Sequence, residues 1–581
     1  MPTKIRLTAL IGSALAVLSI VSACTPASQQ ATAPAAPAAQ ATPAAKSATP
    51  GPTTSETAQP AAEAGCPSCE HAVAAVAKVT APANTFVFGR GGDSVKLDPA
   101  VTIDGESGRV TRQIYDNLVK FEGQTTNVVP SLAESWNISP DGKVWTFKLR
   151  SGVKFHDGTP FDADAVVFNF ERWMDAKNPY HTGGVYNYWA NMFGGFKNDE
   201  KTEKNCILDS VKALDANTVQ FTLKSPMAPF LNDLAMYAFA IASPTAIKKD
   251  PENFFKNPVG TGAFKFVEWV PGDHITLEAN RDYWGEKPKL DRLIFRVIKD
   301  GTARLMELKA GTIQGMDDLN PDDLKTAQSD PNIKTLSRPS MNIGYITFNM
   351  KNQYVGKKEV RQAINYAINR KAIVEALFAG IGEEASQTVP PMVWGHNPDV
   401  KPYPYDPEKA KALLKQAGLE NGFTMDLWYM PVSRPYAPAP KPLAEAIAAD
   451  LAKVGIKVNL KTEDWGQYVQ DWRSGKFDSW MLGWSSDNGD PDNFLFPFWG
   501  QQGEFNTWDN EQVRTMLQKA QVSTDRAERE KLYKEIAVIM ADEQPRVHIV
   551  HTAPVLAFRS NVEGYVTNPA AQEFFNTVYF K

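Results

Sequence analysis

Two short segments late in the chain concentrate side chains able to grip a charged ligand. They are Arg434-Pro435-Tyr436, in a proline-rich loop, and Asp487-Asn488-Gly489-Asp490-Pro491-Asp492, which follows Gly483-Trp484. A guanidinium presents a planar fork to a carboxylate, and a short carboxylate suits an ammonium. Taken alone, Arg434 reads more readily as a surface salt-bridge former. The acidic run, taken alone, reads more readily as a surface turn, because Asp, Asn, Gly and Pro are turn formers. The run lacks the liganding period of an EF-hand loop, so calcium is not its expected occupant. Trp465 and Trp484 suit the walls of a side-chain pocket as well as a core. The seven histidines, at 71, 156, 181, 274, 396, 548 and 551, are scattered, and no His cluster for direct nickel ligation is visible. Neither HExxH nor GxSxG occurs, and glycosidase carboxylates have no spacing that reveals them. The expectation is a binding protein without cofactor, not an enzyme.

The cysteines carry a separate question. Cys66-Pro67-Ser68-Cys69 is compatible with a redox pair, half a zinc site or a short disulfide. Attachment of a c-type haem fails, because Glu70 stands between Cys69 and His71. In an exported protein the expected state is a structural disulfide among Cys66, Cys69 and Cys206, with one thiol left over and the connectivity open.

Export itself is written at the start. Lys4 and Arg6 precede a 15-residue apolar run over 7–21, short of the roughly 20 residues a spanning helix needs. The run ends in Val21-Ser22-Ala23-Cys24, which resembles a bacterial lipoprotein box. Residues 1–23 are therefore expected to be removed, and Cys24 to carry the lipid that tethers a 558-residue mature chain. Of the 41 residues over 25–65, 32 are Ala, Pro, Thr or Ser, and none is Leu, Ile, Val or Phe. Such a stretch buries too little apolar surface to offset its ordering entropy, so residues 24–83 read as an extended tether.

The remainder must supply the fold that positions the two charged segments. A length of 581 residues suggests several domain-sized units, and 10% aromatic content with 14 Trp is too much for a disordered chain. Mean hydropathy of −0.33 excludes a polytopic membrane protein, and a net charge of −5 argues against nucleic acid as the main partner. The alternation over 144–149, entered from Asp141-Gly142, predicts a strand. Helical spacing follows over 163–173. Val360, Ala363, Ile364, Ala367 and Ile368 predict one amphipathic helix stopped at Gly380. Asp406-Pro407 opens another, closed by Gly418, and Leu443, Ile447 and Leu451 line a third that runs through Gly455 into an alternating strand. Strands and helices interleave throughout, which predicts an α/β fold with mixed sheets.

Several blocks carry a family resemblance. Trp136 to Gly142, Trp145-Thr146-Phe147 and Gly152-Val153-Lys154-Phe155-His156-Asp157-Gly158 are similar to segments of the peptide/nickel class of extracytoplasmic solute-binding proteins (family 5). So are Pro258-Val259-Gly260-Thr261-Gly262-Ala263-Phe264, Asn280, Tyr283-Trp284, Val360-Arg361-Gln362-Ala363 and the WSSDNGDPDNF block over 484–494. The similarity covers residues 85–581 and is strongest to dipeptide-binding members. It implies a two-lobed periplasmic binding protein fold (type II, cluster C) with an extra domain in one lobe. The implied bounds are 84–118, 258–341 and 546–581 for lobe I, 119–257 for domain II and 342–545 for lobe III. It further implies a monomer in the cell envelope that captures di- or oligopeptides and hands them to the transmembrane subunits of an ABC permease. Longer oligopeptides, haem or a metal–chelator complex are the alternative ligands.

A free dipeptide is a zwitterion, and enclosing it strips water from both charged ends. The site must then supply an anion and a cation, since an unpaired buried charge costs several kcal/mol. In dipeptide-binding members these roles fall on an Arg in an R-P-Y segment and an Asp after a G-W-x-x step. The matching positions here are Arg434 and Asp487, 53 residues apart, with Tyr436, Trp465 and Trp484 around the ligand. Gly105 is expected to let lobe I backbone approach it. The late cysteines of the dipeptide-binding pattern are missing, which leaves the fold expectation intact and weakens that of identical specificity.

Overall fold

The computed structural model describes residues 84–500 and 508–581. Cys24, the tether, Cys66 and Cys69 lie outside the described residues. Three main sheets order the rest. The first runs Ile333–Ser337, Val555–Arg559, Gly315–Met316, Thr85–Arg90, Arg292–Val297, His274–Ala279, Phe264–Val270. The second runs Gly382–Glu384, Arg546–Thr552, Asn342–Phe348, Ser479–Ser485, Phe423–Trp428, Ile456–Lys461. Both mix parallel and antiparallel neighbours. The third is antiparallel: Ala133–Ile138, Val144–Leu149, Thr218–Leu223, Leu208–Asp215.

Local signals explain much of this. In Val144–Leu149 every second residue (Trp145, Phe147, Leu149) is buried, and Phe147 meets Phe221 of the neighbouring strand edge-on at 5.5 Å. Asp406 caps Pro407–Gln416 by accepting from the Lys409 amide. The helix expected to run from Val360 to Gly380 is instead two, Lys358–Ala367 and Arg370–Leu377. Asn369 breaks it, because its side chain accepts from the Ala372 amide and starts a new helix. Cys206 is a free, buried thiol, so it is not bonded to another described residue.

Chain crossings between the first two sheets fall at 338–341 and 553–554. The second lies later than the expected boundary at 546, because Arg546–Thr552 pairs with Asn342–Phe348 inside the second sheet. Asn342 stitches the crossings together: its Nδ2 donates to the Thr552 carbonyl at 2.8 Å, and its Oδ1 accepts from the Thr552 amide at 3.1 Å.

The block over 258–264 acts as a structural knot. Gly260 and Gly262 run directly against the end of the helix Gly105–Ile114, and a Cβ on Gly260 would stand 2.2 Å from the Ile114 carbonyl oxygen. Nothing larger than glycine fits there. Thr261 (2.8 Å), Tyr283 (2.9 Å) and Trp284 (2.9 Å) all donate to the buried Asp116 carboxylate. Three donors satisfy a carboxylate that burial would otherwise make expensive. The knot fixes the helix that carries Gly105.

Candidate functional site

Arg434 and Ala437 close a two-residue turn over Pro435-Tyr436, with backbone bonds of 2.9 and 3.1 Å in the two directions. Proline presets the first corner. Thr552 ties the turn to the chain crossing, its hydroxyl donating to the Pro435 carbonyl at 3.0 Å. Tyr436 is buried against the second sheet, where Gly344 and Gly483 make room for it. A Cβ on Gly483 would stand 2.2 Å from its ring. The half-buried Arg434 guanidinium lies 4.8 Å from the Trp465 ring centroid, and Trp465 stacks on Tyr468 at 5.8 Å. Arg434, Tyr436 and Trp465 thus form one group.

Asp487 follows Gly483 by four residues, at most about 14 Å along the chain. It sits in the loop between Ser479–Ser485 and the helix Pro491–Trp499. Burial pushes its carboxyl up to about 6, against a hydrogen bond from Tyr188 and the charge of Arg112, which hold it down. The loop is anchored from both sides. Asn488 Nδ2 donates to Asp233 at 2.7 Å, and Asn232 Nδ2 donates to the Asn488 carbonyl at 2.9 Å. Behind it, Asp490 caps the following helix and takes a bidentate pair from Arg529 at 2.5 and 2.9 Å.

Among the described residues neither Arg434 nor Asp487 enters an ion pair. Gly105 is the first residue of its helix, capped by Asp104, and nothing lies within 4 Å of where its Cβ would be. Trp484 is placed differently from Trp465. Neighbours along a strand face opposite ways, so Trp484 stands on the other side of the sheet from Tyr436. There it meets Phe498 edge-on at 5.1 Å and donates its indole N–H to Asn493 at 3.0 Å. Sequence reasoning missed Arg112, Tyr188 and Tyr237. Tyr188 bonds Asp487, Tyr237 bonds Tyr188 and Arg112 acts on Asp487 by its charge; long-range folding brings them there, and no local motif marks them.

Among the described residues the arrangement thus holds a carboxylate and a guanidinium outside any ion pair, the guanidinium over the Trp465 ring and the carboxylate bonded to Tyr188. The family of bacterial extracellular solute-binding proteins, family 5 (middle region), matches residues 127–506, and the chain belongs to that family, with its two-lobed type II fold. The dipeptide-binding protein of Escherichia coli (strain K12) is 39% identical over 525 residues, covering 87% of this chain and 96% of that protein. Heme-binding protein A of Haemophilus influenzae is 39% identical over 510 residues, covering 85% and 91%. The structure of the ABC transporter-associated periplasmic binding protein DppA from Helicobacter pylori, in complex with the peptide STSA, aligns with a TM-score of 0.73 at 35% identity, covering 85% of this chain and 98% of that one. No helix among the described residues is long and apolar enough to cross a membrane.

Proposed function

We propose that this protein captures dipeptides and other short peptides between two closing lobes and delivers them to an ABC permease. One observation carries the reading: a carboxylate, Asp487, and a guanidinium, Arg434, that enter no ion pair among the described residues and follow neighbouring strands of the same sheet. A peptide zwitterion offers the counter-charge for each, its ammonium to Asp487 and its carboxylate to Arg434. The dipeptide- and peptide-binding relatives point the same way, while the haem-binding relative keeps haem as the second reading. Native mass spectrometry of the ligand retained through purification tests the proposal. Peptides of two to four residues are expected, and a haem mass would replace the reading.

The pH dependence has a definite sign. The ligand's ammonium pairs only with ionised Asp487, whose carboxyl titrates at about 6 in the free protein. Affinity should be flat from about pH 6.5 to 7.5 and fall about tenfold per unit well below 6. It should fall again above about pH 8, where a peptide α-amino group loses its proton. Calorimetric titration across this range checks it, and an affinity that rises on acidification contradicts it.

We assign the hinge to the crossings at 338–341 and 553–554. Opening separates Asn488 from Asn232 and Asp233, so these bonds form only in the closed state. Small-angle scattering should show a smaller radius of gyration with peptide than without. We further propose that Cys24 carries a lipid and that the protein acts as a monomer at the cell envelope. Labelling with radioactive palmitate should vanish in Cys24→Ala, and persistent label rejects the anchor.

A further inference from the structure

We infer that the site selects peptides whose first residue bears an acidic side chain, and that Arg112 does the selecting. The inference rests on the peptide-binding reading above. Arg112 lies seven residues after Gly105 on the helix Gly105–Ile114, so the two share a face, with Gly108 between them. That face meets Tyr237: a Cβ on Gly108 would stand 3.2 Å from its ring, and the Arg112 guanidinium lies 4.6 Å from its centroid. The Tyr237 hydroxyl bonds to that of Tyr188 at 3.2 Å, and Tyr188 bonds to Asp487. Arg112 therefore faces Asp487 across a pair of tyrosines.

Its own needs are poorly met. The residue is only 9% exposed, Nη1 donates to the Ala571 carbonyl at 2.7 Å, and the buried Nε has no acceptor. Arg112 enters no ion pair among the described residues. Two other buried carboxylates of this helix's surroundings, Asp317 and Glu573, are claimed at 2.6 Å by Arg109 and Arg338. Tyr237, Glu573 and, last, Asp487 act on its charge through space. Once a ligand's ammonium takes Asp487, the share of the Arg112 charge that Asp487 offsets is spent on the ligand. A zwitterion brings no net charge, so Arg112 is left less compensated than before. An acidic side chain on the ligand's first residue branches from the same carbon as the ammonium held by Asp487. It is the group placed to meet Arg112, whereas the last residue's side chain lies toward Arg434.

Calorimetry of the full-length protein at pH 7 with Glu-Ala, Gln-Ala, Ala-Glu and Ala-Gln tests this. The wild type should bind Glu-Ala about 10- to 100-fold more tightly than Gln-Ala, with no comparable advantage of Ala-Glu over Ala-Gln. Arg112→Gln should bring Glu-Ala and Gln-Ala to within a factor of about two. Arg112→Lys, which keeps the charge, should retain part of the preference. Equal binding of Glu-Ala and Gln-Ala by the wild type overturns the inference, and so does a preference that survives in Arg112→Gln. Should no peptide bind the wild type, the peptide reading falls together with it. Binding without charge preference overturns only the role of Arg112.

Discussion

Arg529→Met should destabilise the fold by about 3–5 kcal/mol, the cost of stripping one partner from a buried ion pair. Arg529 is 5% exposed and holds both oxygens of Asp490, while its Nε donates to the Ala520 carbonyl at 3.0 Å. Without it, Asp490 stays buried beside Asp492, whose carboxyl is already pushed up to about 7 by burial and by Asp490. The effect reaches the site, because Asp490 starts the helix that follows the Asp487 loop. Chemical unfolding monitored by tryptophan fluorescence reads the loss. The double variant Arg529→Met/Asp490→Leu should recover most of it, since replacing both partners leaves no buried charge. A loss below about 1 kcal/mol in the single variant contradicts a buried, tightly held pair.

Blocking a peptide's amino end should weaken binding by about two to four orders of magnitude. N-acetylation removes the positive charge that would pair directly with Asp487, enclosed by Tyr188 and the Asn232–Asn488 contact. C-amidation strands Arg434 over Trp465 in the same way, with a smaller expected loss because Arg434 is half-buried. Removing one methylene from an apolar ligand side chain should cost only about 1 kcal/mol. Competition assays with acetylated, amidated and free forms of one dipeptide measure these differences. Equal binding of acetylated and free peptide favours the non-peptide ligands.

What could be read before folding was what local chemistry writes. Asp406-Pro407 starts a helix wherever it is placed, and the alternation of Trp145, Phe147 and Leu149 needs only one buried face. The Asn369 break was hidden because the apolar spacing continues through it, and a side-chain cap won over periodicity. Arg546–Thr552 is buried at every position. A strand covered on both faces has no alternation to show which sheet it joins, and the crossing was placed too early for that reason. Arg434 and Asp487 were proposed as ligand partners through their motifs, not through physical pattern. Trp484 follows Gly483, whose face carries Tyr436, and the pleat turns it to the opposite face. Arg112, Tyr188 and Tyr237 lie 375, 299 and 250 residues before Asp487 in the chain. Only the closed chain path gathers them.

The central claim is that the Asp487 carboxylate is the partner of the ligand's ammonium. The most direct test is a two-by-two calorimetric cycle, wild type and Asp487→Ala against a free dipeptide and its N-acetyl form. If the pair exists, acetylation should cost the wild type about two to four orders of magnitude and Asp487→Ala less than about one. If acetylation costs both proteins the same, the ammonium does not meet Asp487 and the account of the site is wrong.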